Sequence, residues 1–130
     1  MKLKTVFTVN YILAFPFGAG FIFFPTFFLS LIGINVAGDA PLMARGLGVF
    51  IFGTSILTFF TRDAPKSEAR RAIVLSLFAV HILASLYNLS WILLFGIPFN
   101  LMIALLLVIH AGLAVAFGYF LFGGPREIKS

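Results

Sequence analysis

The sequence has no cysteine and little charge, and both absences narrow the functions open to the chain. Without cysteine there is no disulfide, no thiol or thioredoxin-type chemistry, no iron–sulfur ligation and no covalent c-type haem. Only 10% of the 130 residues are charged, whereas about 25% are charged in a typical soluble domain. The composition therefore indicates that the surroundings of this chain are lipid rather than water.

Apolar side chains take the place of the missing charge. Hydrophobic residues make up 62% of the chain, 18 residues are Phe, and the mean hydropathy is +1.14. Four apolar runs are each long enough to cross about 30 Å of hydrocarbon. They cover residues 6–31, 42–60, 72–95 and 101–122. We therefore predict one all-α transmembrane domain over residues 1–130, an antiparallel up-down four-helix bundle with no room for a soluble catalytic domain.

The first apolar run contains two prolines, Pro16 and Pro25. Proline removes a helical hydrogen bond and kinks or ends a helix. We expect a kink, or a span that ends near Phe24 and is followed by a short interfacial piece.

Basic residues are distributed unevenly among the connections. Only Arg45 lies between the first two runs, and the other eight lie on the opposite side: Lys2, Lys4, Arg62, Lys66, Arg70, Arg71, Arg126 and Lys129. The positive-inside rule then places both termini and the middle loop in the cytoplasm, with the chain in the inner or cytoplasmic membrane. Anionic lipid headgroups are the expected partners of these charges, and nucleic acid is not, because no basic face with base-stacking residues accompanies them.

Small residues indicate where helices can approach closely. They lie in the first, second and fourth runs: Ala14, Gly18, Gly46, Gly53, Ala114 and Gly118. We expect helix contacts at these positions.

The two histidines are the most distinctive residues, because each lies inside an apolar run. His81 precedes Ile97, the middle of the short third connection, by 16 residues, and His110 follows it by 13. These separations correspond to roughly 24 Å and 20 Å along two helices, so both imidazoles are predicted at nearly the same depth on adjacent antiparallel spans. An ionisable group at this depth is costly and normally faces the protein interior.

Three arrangements of the histidines are open at this point. His81 and His110 could be the two axial ligands of a haem b iron, or each could bind the magnesium of a chlorophyll or bacteriochlorophyll. Alternatively they are held by hydrogen bonds, to each other or to the backbone, Ser85 or Asn88. A zinc site is not expected, since zinc takes three or four protein ligands and no carboxylate accompanies the pair.

Arg45 is the remaining candidate, as a ligand- or lipid-binding residue at the start of the second run. It could extend to lipid headgroups or pair with Asp39. It could also bind a carboxylate, a quinone oxygen or a lipid phosphate.

The segment Ala44-Arg45-Gly46-Leu47-Gly48, together with four predicted spans and a basic middle loop, resembles the small DoxX-like four-helix membrane proteins of bacteria and archaea. Some members of that class are associated with quinone-linked oxidase complexes, so the resemblance implies an accessory role and carries over no catalytic residue. We expect a non-catalytic structural or accessory subunit of a larger membrane complex, for electron transport or photosynthesis, packed against other subunits or a second copy. The alternatives are tetrapyrrole binding at His81 and His110, and transport or lipid or quinone binding at Arg45.

Overall fold

The computed structural model describes residues 2–34 and 36–123, so Arg126 and Lys129, two of the predicted cytoplasmic charges, lie outside the described residues. Within these ranges the chain is all-α, as predicted, and contains no strand. The helices are α1 (Leu3–Phe23), α2 (Pro25–Leu31), α3 (Ala40–Thr61), α4 (Glu68–Leu93) and α5 (Leu101–Gly118), and a π-helical turn, Tyr119–Gly123, extends α5.

Four of these helices are long and apolar enough to cross a membrane: α1, α3, α4, and α5 with its extension. Their bounds differ from the predicted spans by a few residues, because caps rather than hydropathy decide where a helix begins. α4 begins at Glu68, since the Ser67 side chain accepts a hydrogen bond from the amide of Arg70 at 3.2 Å. α5 begins at Leu101, where the side chain of Asn100 accepts from the amide of Ile103 at 3.0 Å.

The first predicted span is divided at Phe24. α1 passes through Pro16 and ends at Phe23, and Phe24 leaves the helical conformation with φ −130° and ψ 51°. Pro25 then occupies the first position of α2, where its missing amide hydrogen costs nothing. The predicted end near Phe24 is confirmed, and α2 packs against both α1 and α3.

Most helix contacts fall within two antiparallel pairs, α1 with α3 and α4 with α5. The backbones of α1 and α3 approach closely at two glycines. A Cβ atom on Gly18 would lie 2.6 Å from the backbone nitrogen of Phe52, and one on Gly48 would lie 2.8 Å from that of Ile22. Side chains therefore cannot replace these hydrogens without separating the helices.

The glycine prediction is correct for Gly18 and wrong for Gly46 and Gly53. A Cβ atom at either of the latter positions would have no neighbouring atom within 4 Å. The contact residue is Gly48 rather than Gly46. Two residues along a helix correspond to a rotation of about 200°, so these two glycines lie on opposite faces of α3, whereas Gly53, seven residues after Gly46, lies on the same face as Gly46. Gly46 and Gly53 thus share the outer face of α3.

Two clusters of buried apolar residues lie toward opposite ends of the molecule. The cluster at the end that carries the α3–α4 loop, here called the loop end, consists of Leu3, Val6, Phe7, Val74, Leu77, Leu113 and Phe117. The cluster at the other end consists of Phe21, Leu29, Ile32 and Ala44. Many large apolar side chains outside these clusters are exposed, including Phe60 at 72% and Phe122 at 77%, which suits a surface covered by lipid tails.

An ion pair at the loop end joins the start of α1 to the α3–α4 loop. Asp63 pairs with Lys4 and with Arg62. These two cations hold the pKa of the Asp63 carboxyl below its usual value, and Lys4 has the larger effect. Because all three groups are in contact with solvent, the pairs contribute little to stability. They do show that the beginning of α1 and the α3–α4 loop lie at the same end of the molecule.

Candidate functional site

The two histidines meet at the interface of α4 and α5. The Nδ1 atom of His81 lies 3.0 Å from the Nδ1 atom of His110, so the predicted equal depth on adjacent helices is confirmed. His81 is 6% exposed, and its ring is stacked on that of Phe117, with centroids 5.8 Å apart and planes 7° apart. The pair therefore lies directly above the buried cluster of the loop end.

Asn10 of α1 extends the pair across the molecule. Its Oδ1 atom lies 3.0 Å from Nε2 of His81, and its Nδ2 atom donates to the hydroxyl of Thr58 on α3 at 3.2 Å. The Thr58 hydroxyl in turn donates to the carbonyl of Thr54 at 2.8 Å. Four helices are thus joined by one chain of hydrogen bonds, here called the polar chain: His110, His81, Asn10 and Thr58.

The polar chain has one direction when both imidazoles are neutral, as an apolar interior favours. Because the oxygen of Asn10 can only accept, Nε2 of His81 carries the hydrogen and donates to it. Nδ1 of His81 is then the acceptor, and Nδ1 of His110 donates. The remaining nitrogen of His110, Nε2, is left as an acceptor that has no hydrogen-bond partner among the described residues.

This geometry favours the hydrogen-bonded pair among the three predicted arrangements. One metal ion bound by both rings would hold the two nitrogens about 4 Å apart, at about 2 Å from each, with a tetrapyrrole ring between them. At 3.0 Å the Nδ1 atoms leave no space for that group, so the pair does not fit a bis-histidine haem. The predicted bonds of the rings to Ser85 or Asn88 are not present among the described residues: the Ser85 hydroxyl donates to the backbone carbonyl of His81, and the ring nitrogens of His81 bond to His110 and Asn10.

A partly enclosed cavity of about 300 Å³ adjoins the polar chain, between the two helix pairs. His81, His110 and Asn10 lie in its wall at one end, above the buried cluster of the loop end. The rest of the wall is almost entirely apolar and is rich in aromatic rings: Phe17, Phe21, Phe28, Phe50, Tyr87 and Trp91. Ligand sites in proteins have this composition, with mostly apolar walls and a few convergent polar groups.

The cavity is bordered by exposed side chains between α3 and α4, two helices that make almost no direct contact. Leu47 and Phe50 of α3 are 47% and 60% exposed, Tyr87 of α4 is 60% exposed, and all three line the cavity. In a membrane this side would face lipid. The cavity would then be accessible from the hydrocarbon without passage through water.

One further polar group lines this cavity. Asn88 is only 4% exposed, and its Nδ2 atom has no hydrogen-bond partner among the described residues. The two buried amides thus differ in hydrogen bonding: Asn10 is bonded through both of its polar atoms, whereas the Nδ2 atom of Asn88 has no partner among the described residues.

Arg45 lies apart from the polar chain and the cavity. It is exposed on α3 and borders an open groove of about 490 Å³ beside Phe24 and Pro41. Among the described residues it forms no ion pair, so the predicted bond with Asp39 is not present. The structure thus brings together His81 and His110 but not Arg45.

Asn10 is the member of the site that sequence reasoning did not connect to the histidines. The structure shows that it joins α1 to both α3 and α4. The signal was its depth: it lies seven residues inside α1, where an amide needs a partner.

The fold and site together define a class, an all-α protein with four candidate membrane spans and a polar chain beside an apolar cavity. In comparisons with known proteins, no family model, no curated protein and no solved structure matches the chain. The DoxX-like resemblance therefore stays a prediction, and the functional argument rests on the site.

Proposed function

We propose that this protein is a multi-pass membrane protein that binds a small, mostly apolar molecule in the cavity between its helix pairs. The observation that carries the proposal is the coincidence of an apolar, aromatic-lined cavity with the polar chain at one end of it. A purely structural bundle needs neither, since helices in lipid associate by close packing of apolar and small residues.

The volume sets the size of the molecule. A cavity of about 150 Å³ in a protein interior accommodates one benzene ring. The cavity here, about 300 Å³, therefore corresponds to about two rings or an acyl segment of similar volume. The six aromatic side chains in the wall favour a flat ring system over a flexible chain, because their faces and edges stack on rings.

The polar chain supplies orientation. Nε2 of His110 accepts a hydrogen bond in the tautomer that the chain favours, so a hydroxyl or N–H on the ligand would be held at that end of the cavity. Entry between α3 and α4 means that the molecule reaches the site from the bilayer, which suits a compound dissolved in membranes.

The experiment uses the single tryptophan of the chain, Trp91, which lines the cavity. In lipid nanodiscs, 2-bromonaphthalene is expected to quench Trp91 fluorescence with a saturable component in addition to the linear quenching caused by probe dissolved in lipid. Ala84 lines the cavity, so Ala84→Phe fills it and is expected to reduce the saturable component at least tenfold.

The matched control is Ala79→Phe, on the exposed face of the same helix. It should leave saturable quenching unchanged. Quenching that is linear in the unmodified protein, or that Ala84→Phe and Ala79→Phe reduce equally, would exclude ligand binding in this cavity.

We also propose that the four spans form an up-down bundle with both termini in the cytoplasm of the cell, in its cytoplasmic membrane. The charge bias of the sequence supports this orientation, and so does the ion pair of Lys4 with Asp63, which holds the start of α1 beside the basic loop. The absence of native cysteine permits a direct test. A membrane-impermeant maleimide added to intact cells should label Phe99→Cys and leave Lys66→Cys unlabelled, and the reverse pattern would overturn the orientation.

A second candidate is the accessory-subunit role that the sequence suggests. It is favoured by the outer face of α3, where Gly46 and Gly53 leave room for another helix and the protein itself does not use it. The partner would be another membrane subunit or a second copy, in an electron-transfer or photosynthetic complex. Native gels of gently solubilised membranes test this role: a lone monomer, with no complex altered by deletion, would exclude it.

A further inference from the structure

The open groove beside Arg45 contains a cation that neither the polar chain nor the cavity accounts for. Arg45 is exposed, and it forms no ion pair, hydrogen bond or ring contact with any described residue. Of the nine basic residues, it alone lies between the first two predicted spans. The positive-inside rule disfavours a cation there, so membrane topology does not explain this charge.

The groove lies at the end opposite the loop end, where the chain breaks between α1 and α2. Because Pro25 begins α2 at this break, α2 packs beside the start of α3. The groove of about 490 Å³ is bordered by residues of the break and of α2 on one side and by Pro41 and Arg45 on the other. Arg45 is the sixth residue of α3, about 8 Å along the helix from its first residue. From this depth an arginine side chain can reach the headgroup region of a membrane.

The wall of the groove combines polar donors with exposed aromatic rings. The hydroxyl of Thr26 has no hydrogen-bond partner among the described residues, so it is free to donate, as is the guanidinium of Arg45. Beside them, Phe23, Phe24 and Phe27 are 69%, 65% and 59% exposed. A phospholipid matches both parts, because its anionic phosphate is joined directly to acyl chains. A soluble anion would match only the donors.

We infer that this groove binds one phospholipid, with its phosphate oxygens on the guanidinium of Arg45 and the hydroxyl of Thr26 and its acyl chains against the phenylalanine rings. The site is separate from the cavity of the proposed function, since Arg45 and Thr26 do not line that cavity. A guanidinium bonds two phosphate oxygens at once, whereas an ammonium acts as a point charge. Lysine should therefore replace Arg45 poorly, although it can extend to headgroups equally well.

Native mass spectrometry of the full chain tests the inference, with dioleoylphosphatidylethanolamine titrated into the detergent micelles. This lipid has a phosphate but no net charge, so the basic residues of the loop end attract it only weakly. The unmodified protein should bind one molecule at about tenfold lower concentration than Arg45→Gln, as a charge-assisted hydrogen bond provides. Arg45→Lys should recover less than half of this difference in binding free energy, and Thr26→Val should weaken binding about threefold.

Two further probes separate the sources of the affinity. Dioleoylglycerol has the same acyl chains without the phosphate, and sodium phosphate has the anion without the chains. Each should bind at least tenfold more weakly than the phospholipid. Equal binding of dioleoylglycerol would show that Arg45 contributes nothing, and equal binding of sodium phosphate would assign the groove to a soluble anion. Either result would overturn the inference.

Arg71→Gln is the matched control, because Arg71 is an exposed cation of the loop end. It should leave the binding of the phospholipid unchanged, and so should Ala84→Phe, which fills the cavity but does not border the groove. Without lipid, the Arg45 and Arg71 variants should melt within about 2 °C of the unmodified protein, since both side chains are exposed.

The remaining outcomes also decide the inference. Equal losses in Arg45→Gln and Arg71→Gln would indicate general attraction to charge, and full binding by Arg45→Lys would indicate a side chain that only extends to headgroups. Loss of binding in Ala84→Phe would place the lipid in the cavity. Each of these results would overturn the groove site, whereas saturable quenching by 2-bromonaphthalene tests the proposed function separately.

Discussion

Replacement of His81 by phenylalanine should lower the free energy of unfolding by about 2 to 5 kcal/mol, although the ring size hardly changes. His81 bonds to two partners, Nδ1 of His110 and Oδ1 of Asn10, and both would be left unpaired in an apolar interior. Each buried group without a partner costs about 1 to 3 kcal/mol. The new ring would keep its stacking on Phe117, so the loss measures the polar chain rather than packing.

The control is Ser85→Ala, one turn farther along the same helix. The Ser85 hydroxyl bonds only to the carbonyl of His81 within α4, so its removal should cost less than about 0.5 kcal/mol. A triple variant, Asn10→Leu with His81→Phe and His110→Phe, should recover most of the loss because it leaves no unpaired group. Thr58 keeps a partner there, the carbonyl of Thr54. Reversible unfolding in mixed micelles measures all three variants, and equal stability of His81→Phe and Ser85→Ala would contradict the polar chain.

The second large effect is expected at the close contact of α1 and α3. In Gly48→Ala the added methyl group would lie 2.8 Å from the backbone nitrogen of Ile22 and 2.9 Å from the carbonyl oxygen of Gly18. Backbone atoms cannot move aside as side chains do, so the helices must separate, at a cost of about 1 to 3 kcal/mol. Because α1 carries Asn10, the separation should also weaken its bond to His81.

Gly46→Ala is the matched control, two residues earlier in the same helix. A methyl group there meets no neighbour within 4 Å, and the change should stabilise the helix by up to about 1 kcal/mol through the better propensity of alanine. Opposite signs for the two variants in the same unfolding assay are the expected result. Equal effects would mean that α1 and α3 do not meet at Gly48.

The fold was largely predictable because a bilayer allows very few backbone structures to cross it. Apolar runs of about 20 residues must be helices, since the backbone has no other way to satisfy its hydrogen bonds in lipid. Pro16 and Pro25 likewise predicted the end near Phe24, and the structure has α1 ending at Phe23. Details that depend on helix rotation were not predictable: the sequence favours Gly46 as the contact residue, whereas Gly48 makes the contact in the structure.

The site was predictable in part for the same reason. The depth of His81 and His110 follows from counting residues on either side of a short connection, and the counting was correct. Which groups complete their hydrogen bonds depends on how α1 approaches α4, and no local pattern records that approach. The cavity arises from the spacing of two helix pairs. The sequence therefore could not distinguish Asn88, whose Nδ2 atom has no partner among the described residues, from Asn10, which bonds to two other helices, α3 and α4.

The most direct test of ligand binding is to identify what the protein holds when it is taken from its own membrane. The protein and the Ala84→Phe variant would be purified in parallel in a mild detergent, extracted with organic solvent and compared by mass spectrometry. We predict one mostly apolar compound of about two rings, near one molecule per chain, that is present with the unmodified protein and depleted at least tenfold with Ala84→Phe. Extracts that contain only bulk membrane lipids, in equal amounts from both proteins, would contradict the proposed function.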